Sequence, residues 1–90
     1  MTSDDHLQCA ATVSAYSYLV AQGRIPEQEL ASDPLVAAMT HLNAYAIPQN
    51  IDEKAAFAAL NRIRDDLLAS GDPGDIAERA KTCVEQAPGG

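Results

Sequence analysis

Apolar residues recur along this chain with a period near 3.6, interrupted by proline, glycine and short capping residues. Over residues 3–22, Cys9, Val13, Tyr16 and Val20 follow the i, i+4, i+7, i+11 rule and share one face of a helix. A second strip on the same helix holds Leu7, Ala11 and Tyr18. Ser3 or Asp4 caps it, Asp4 and Asp5 suit its positive end, and Gly23 ends it. Pro26 opens a single short turn running to Leu30. "ASDPLVAAM" then starts a second helix, with Ser32 or Asp33 as cap and Pro34 at the first helical position. Leu35, Met39, Leu42 and Ala46 form its inner face. Ile47-Pro48 closes it, because the residue before proline is pushed out of the α region.

The third helix carries the strongest pattern. Asn50 and Glu53 read as a capping box, and Ala56, Leu60, Ile63 and Leu67 make one stripe, widened by Phe57, Ala59 and Leu68. Gly71 stops it. In the last segment Asp72 caps, Pro73 takes the first helical position, and Ile76, Ala80, Cys83, Val84 and Ala87 share a face. "PGG" after Ala87 reads as a frayed end. No segment alternates with the period of two that a strand requires, and neither a repeat nor a linker interrupts the chain. The pattern predicts an all-α fold: one domain over 1–90, its ordered core at about 4–87, built as a small bundle of four main helices plus one short helical turn.

Composition changes this picture in one respect. The apolar fraction is 47% but aromatics are only 4% and tryptophan is absent, so alanine fills much of the core. Small side chains bring helices close but bury little area each. A 90-residue domain built this way gains from a cross-link. Both cysteines lie on the inward stripes, Cys9 early in the first helix and Cys83 late in the last. In an up-down bundle those helices are antiparallel neighbours, so the two positions fall at the same end and a disulfide is expected to join them. Two alternatives stand beside it. The thiols are buried and free, or His6, Cys9, His41 and Cys83 form a two-Cys, two-His metal set, although their spacing matches no compact zinc motif.

The net charge of −7 excludes the basic footprint that nucleic acids and anionic membrane surfaces require. The longest apolar run is far below the roughly 20 residues that span a bilayer. A disulfide implies an oxidising compartment, yet "MTSDDHLQ" has no apolar signal core. The chain is therefore either cytoplasmic with reduced thiols or the mature part of a periplasmic or secreted protein; the second is expected here.

No catalytic constellation emerges, and no cofactor is called for. Asp65 and Asp66 point about 100° apart and read as a solvated face rather than a proton-sharing dyad. His6 is a poorly positioned general base near a chain end. His41 reads as a structural histidine, and Ser14 and Ser17 have no base nearby. "GDPGD" lacks the lysine and the preceding strand of a phosphate loop. Leu7, Ala11, Tyr18 and Tyr45 read as partly exposed: either the rings simply cover the alanine-rich core, or the four are a candidate contact surface for a protein partner or a second copy.

The cysteine of "HLQCAATVSAY" in the first helix and that of "AERAKTCVEQ" in the last resemble the layout of small exported alphaproteobacterial two-cysteine helical proteins. That resemblance spans the chain and implies export and a disulfide, with no particular activity. The chain is also similar in size, helicity and single disulfide to periplasmic acid-stress chaperones. It departs from them in having only Lys54 and Lys81 as lysines and no recognisable hydrophobic dimer segment. The function expected is protein–protein contact, as an accessory or inhibitory subunit or a homodimer. A stress chaperone is the alternative, and a cytosolic helical protein with the Cys/His metal set is the third reading.

Overall fold

Each helix begins where a short oxygen-bearing side chain takes up a free backbone N–H. In the computed structural model, which describes residues 2–88, α1 spans Ser3–Ala21, α2 Pro34–Ala46, α3 Glu53–Ser70 and α4 Pro73–Glu85. No strand occurs among the described residues. The frayed end expected at "PGG" lies, for Gly89 and Gly90, outside them.

The caps follow the chemistry of the sequence, with two corrections. Asp33 and Asp72 cap α2 and α4 as expected, accepting from Leu35 N–H at 2.8 Å and Asp75 N–H at 2.9 Å. For α1 the cap is Thr2 rather than Ser3 or Asp4. Thr2 Oγ1 accepts from Asp5 N–H, and the Asp5 carboxylate accepts from Thr2 N–H, which closes a capping box. For α3 the cap is Asp52, accepting from Ala55 N–H at 2.8 Å, and the Asn50–Glu53 box does not form. Asn50 instead sits at φ 59° in the turn that leaves α2, a left-handed conformation asparagine tolerates. Gly23, at φ 70°, ends α1 in a Schellman motif: its N–H donates to the carbonyl of Val20, and that of Arg24 to the carbonyl of Leu19.

The short turn expected over 26–30 is absent; that stretch carries no helix. It is a strap held from both sides. Gln28 N–H donates to the hydroxyl of buried Tyr16 at 2.9 Å, and Gln28 Nε2 donates to the carbonyl of Ala77 on α4 at 2.7 Å. Half-buried Ile25 and Leu30 pack beneath it. These outside partners replace the single local hydrogen bond a turn would have made.

The helix α1 is the axis of the fold, packing on α2, α3 and α4, while α3 and α4 barely meet. Its first stripe joins Cys9, Val13, Tyr16 and Leu19 to Ala37 and Ala38 of α2 and to Ile76, Ala80, Cys83 and Val84 of α4. Its other side joins Leu7, Ala10 and Ala11 to Leu42 and Ala46 of α2 and to Ala56 and Leu60 of α3. A helix apolar on two sides is covered on both, and Ala10, Ala11, Val13 and Ala15 have no exposed surface. The expectation that Leu7 and Ala11 are exposed is therefore wrong: α3 covers them. Leu35 is also misplaced by the pattern. The inner face of α2 is Ala37, Ala38, His41, Leu42 and Ala46, leaving Leu35 69% exposed.

Candidate functional site

Cys9 and Cys83 form a disulfide between α1 and α4, their Cα atoms 5.3 Å apart. That separation falls in the ordinary range for the bond. The cross-link closes the end of the bundle where α1 begins and α4 finishes. His6 stands one turn before Cys9 on α1, and His41 reaches this end from α2, meeting His6 and the backbone of Cys83.

His41 is fully buried and has two partners. Its Nε2 lies 2.7 Å from the carbonyl oxygen of Cys83, and its Nδ1 lies 2.9 Å from Nδ1 of His6. The two rings are 5.1 Å apart between centroids and tilted by 41°. A carbonyl only accepts, so the Nε2 of His41 carries a hydrogen. In neutral His41 the Nδ1 is then a bare acceptor, and Nδ1–H of His6 donates to it. The tautomers of both rings are thus fixed by one backbone carbonyl. The pKa of half-buried His6 is lowered, first by desolvation and then by His41 and the terminal ammonium; Asp5 opposes this. The carboxylate of Asp5, held below its ordinary range by the Thr2 N–H and hydroxyl, is engaged in the α1 cap.

The structure brings together all four members of the expected Cys/His metal set, but not as ligands. Both sulfurs are spent in the disulfide, and the Nδ1 atoms of the histidines face each other. Among the described residues, no group of three or more His, Cys, Asp or Glu side chains is placed to hold a metal ion. Asp65 and Asp66 are exposed, and Asp65 pairs with Arg64 at 3.1 Å. Every buried side-chain nitrogen and oxygen among the described residues has a hydrogen-bond partner. Even Thr12, wholly enclosed, donates to the carbonyl of Gln8.

Of the expected contact surface, Tyr18 is 46% exposed, its hydroxyl accepting from Gln22 Nε2, and Tyr45 is half-buried against the second core cluster. Leu7 and Ala11 are not part of any surface. The large exposed apolar side chains missed by the pattern are Leu35, Val36 at 59% and Ile47 at 72%.

Two open grooves border these features. One, of about 970 Å³, runs beside the disulfide and is walled by Cys9, Thr12, Gln28, Arg79 and Lys81 with several acidic residues. The other, of about 450 Å³, lies between the end of α1 and the strap and reaches Pro34. Among the described residues no helix is long and apolar enough to cross a membrane.

No protein-family model, no curated protein and no solved structure matches this chain. What the geometry defines is a disulfide-closed all-α bundle in which a buried histidine, His41, pairs with half-buried His6 at the cross-linked end.

Proposed function

We propose that this protein is a small exported helical module, resident in the periplasm or secreted, that works by protein–protein contact, as an accessory or inhibitory subunit or as a homodimer. The observation that carries this reading is the exposure of Leu35 and Val36 at the start of α2, beside a strap that is hydrogen-bonded in place. Two adjacent apolar side chains in water gain by being covered, at about 25 cal/mol per Å² of apolar surface. The disulfide supports the compartment, since such bonds persist where the surroundings are oxidising. Light scattering across a concentration series, with pull-down from a periplasmic extract, tests the reading. A dimer or a captured partner lost in the Leu35→Ser, Val36→Ser double variant supports it; a strict monomer that captures nothing overturns it.

A second reading, an acid- or envelope-stress chaperone, is favoured by the pairing of buried His41 with half-buried His6 at the junction of three helices. It requires exposure of apolar surface in acid. Suppression of client aggregation at low pH supports it, and native near-UV circular dichroism at pH 2 without suppression rules it out.

A further inference from the structure

His41 ties α2 to the two helices that the disulfide joins, through His6 of α1 and the backbone of Cys83 in α4. We propose that the His6–His41 pair is a proton-operated latch, which keeps α2 on the α1–α4 staple while the pair holds at most one added proton and releases α2 when it takes a second.

Donors and lone pairs decide how many protons the pair can hold. In the neutral pair, His6 Nδ1–H donates to His41 Nδ1, and the remaining free lone pair suited to a first proton is Nε2 of half-buried His6. Protonation there leaves the Nδ1–H···Nδ1 bond intact and charge-assisted. The second proton has one place to go, Nδ1 of His41. Two N–H groups then face each other across 2.9 Å, and a second positive charge enters a ring with no exposed surface. Neither ring can flip to relieve this, because His41 Nε2 is committed to the Cys83 carbonyl and both nitrogens of imidazolium are donors. The two protons therefore leave and enter in separate macroscopic steps. The pKa of His6 is lowered, first by desolvation and then by His41.

Among the described residues no free counter-ion stands against the doubly charged state. On α1, Asp5 is the acidic neighbour acting on His6, and its carboxylate is engaged by Thr2. His41 is the sole charged or chargeable side chain of α2 besides Tyr45. On α4, Lys81 and Glu85 flank Cys83 but are exposed, as are Glu53 and Lys54 at the start of α3. The disulfide decides which element moves. With Cys9 and Cys83 joined, α1 and α4 cannot separate at this end, so strain from the second proton is relieved by displacement of α2. The latch is a property of the fold and does not depend on the identity of any partner or on chaperone activity.

Hydrogen–deuterium exchange of the full oxidised chain between pH 8 and pH 4 tests this, with a histidine proton NMR titration in parallel. Protection in residues 37–46 should fall at least about tenfold with the second histidine step, beyond the change in intrinsic exchange rate, while segments around Cys9 and Cys83 keep theirs. The control is His6→Gln. Its side-chain amide donates to His41 Nδ1 at neutral pH and can turn its oxygen to accept from His41 imidazolium, so α2 should stay protected to a lower pH. His6 is only half-buried, so this variant is expected to fold. Absence of α2 opening down to pH 4, equal loss around the cysteines, or opening of His6→Gln at the same pH as the parent chain overturns the latch.

Discussion

His41 Nε2–H donates to the carbonyl oxygen of Cys83 across 2.7 Å, so α4 is tied to α2 by its backbone at the residue whose sulfur ties it to α1. Replacing His41 by Leu removes that donor and leaves a buried carbonyl and the His6 N–H unpaired. The expected cost is about 2–4 kcal/mol, read as a lower urea midpoint, because each stranded buried group costs about 1–3 kcal/mol. His6→Gln should cost less, since it keeps a donor facing His41.

The disulfide carries more of the stability. Its loop of 74 residues of separation is worth about 4.5 kcal/mol in the chain-entropy model, comparable with the ~5 kcal/mol at the low end for a whole domain. The Cys9→Ser, Cys83→Ser chain is expected to be largely unfolded or to melt far below the parent. Intact mass should rise by about 2 Da on reduction, and the unfolded, unreduced chain should take no thiol label. Two labelled thiols in protein never exposed to reductant would remove the case for an oxidising compartment.

Stability should also fall in mild acid before the carboxylates titrate. The folded pKa of His6 lies below its value in the unfolded chain, so the unfolded state binds more protons as pH drops. The contribution is fully present above about pH 6.5, the unperturbed histidine value, and is lost as pH falls through the lower folded value. Melting temperature measured from pH 8 to pH 5 should decline over that window. The decline should be smaller in His6→Gln, and equal declines would show that His6 is not its source.

Two glycines make a contrast. At Gly71 a Cβ would stand 2.6 Å from the Leu67 carbonyl oxygen and 3.1 Å from Ile76 Cδ1, in the tight passage between α3 and α4. Backbone must shift, so Gly71→Ala should cost about 1–3 kcal/mol, as overpacking does. At Gly23 the surroundings are open and the obstacle is φ alone. Gly23→Ala should cost about 1–2 kcal/mol, and Gly23→Asn less, because asparagine enters the left-handed region more readily. Chemical denaturation of the three variants separates steric from conformational cost.

How far the chain could be read depended on whether the deciding interaction was local. Asp33-Pro34 and Asp72-Pro73 mark their helix starts because cap and first turn are contiguous. Asn50 misled because Asp52, two residues on, offers the same chemistry, and the turn leaving α2 claimed Asn50 first. The two stripes of α1 were visible in the sequence. Periodicity reports that a face is apolar, however, and does not report what covers it. Leu7 and Ala11 were therefore assigned to a surface that α3 occupies. The strap over 26–30 depends on the Tyr16 hydroxyl and the Ala77 carbonyl, which come from distant helices, so nothing local announced it. The cysteine pair was legible because both sulfurs lay on inward stripes at one end of an up-down bundle. The sequence suggests His41 as a structural histidine and links it to His6 only through the alternative metal set with those cysteines. Their proximity was right, but once the sulfurs are oxidised the chemistry left to them is hydrogen bonding.

The apolar start of α2 separates a stabilising role from a binding role. Leu35 and Val36 are more than half exposed and belong to neither core cluster. Changing both to Ser should alter stability by no more than about 1 kcal/mol in total, since surface substitutions usually fall within about 0.5 kcal/mol each. A partner that covers them loses much more, because truncating a central interface residue costs about 2 kcal/mol or more, roughly thirtyfold in affinity. An unchanged melt with weakened self-association or capture would locate the contact surface at this end of α2. An unchanged melt with undiminished binding would move the contact elsewhere, to Tyr18 or Ile47, which remain the other large exposed apolar side chains among the described residues.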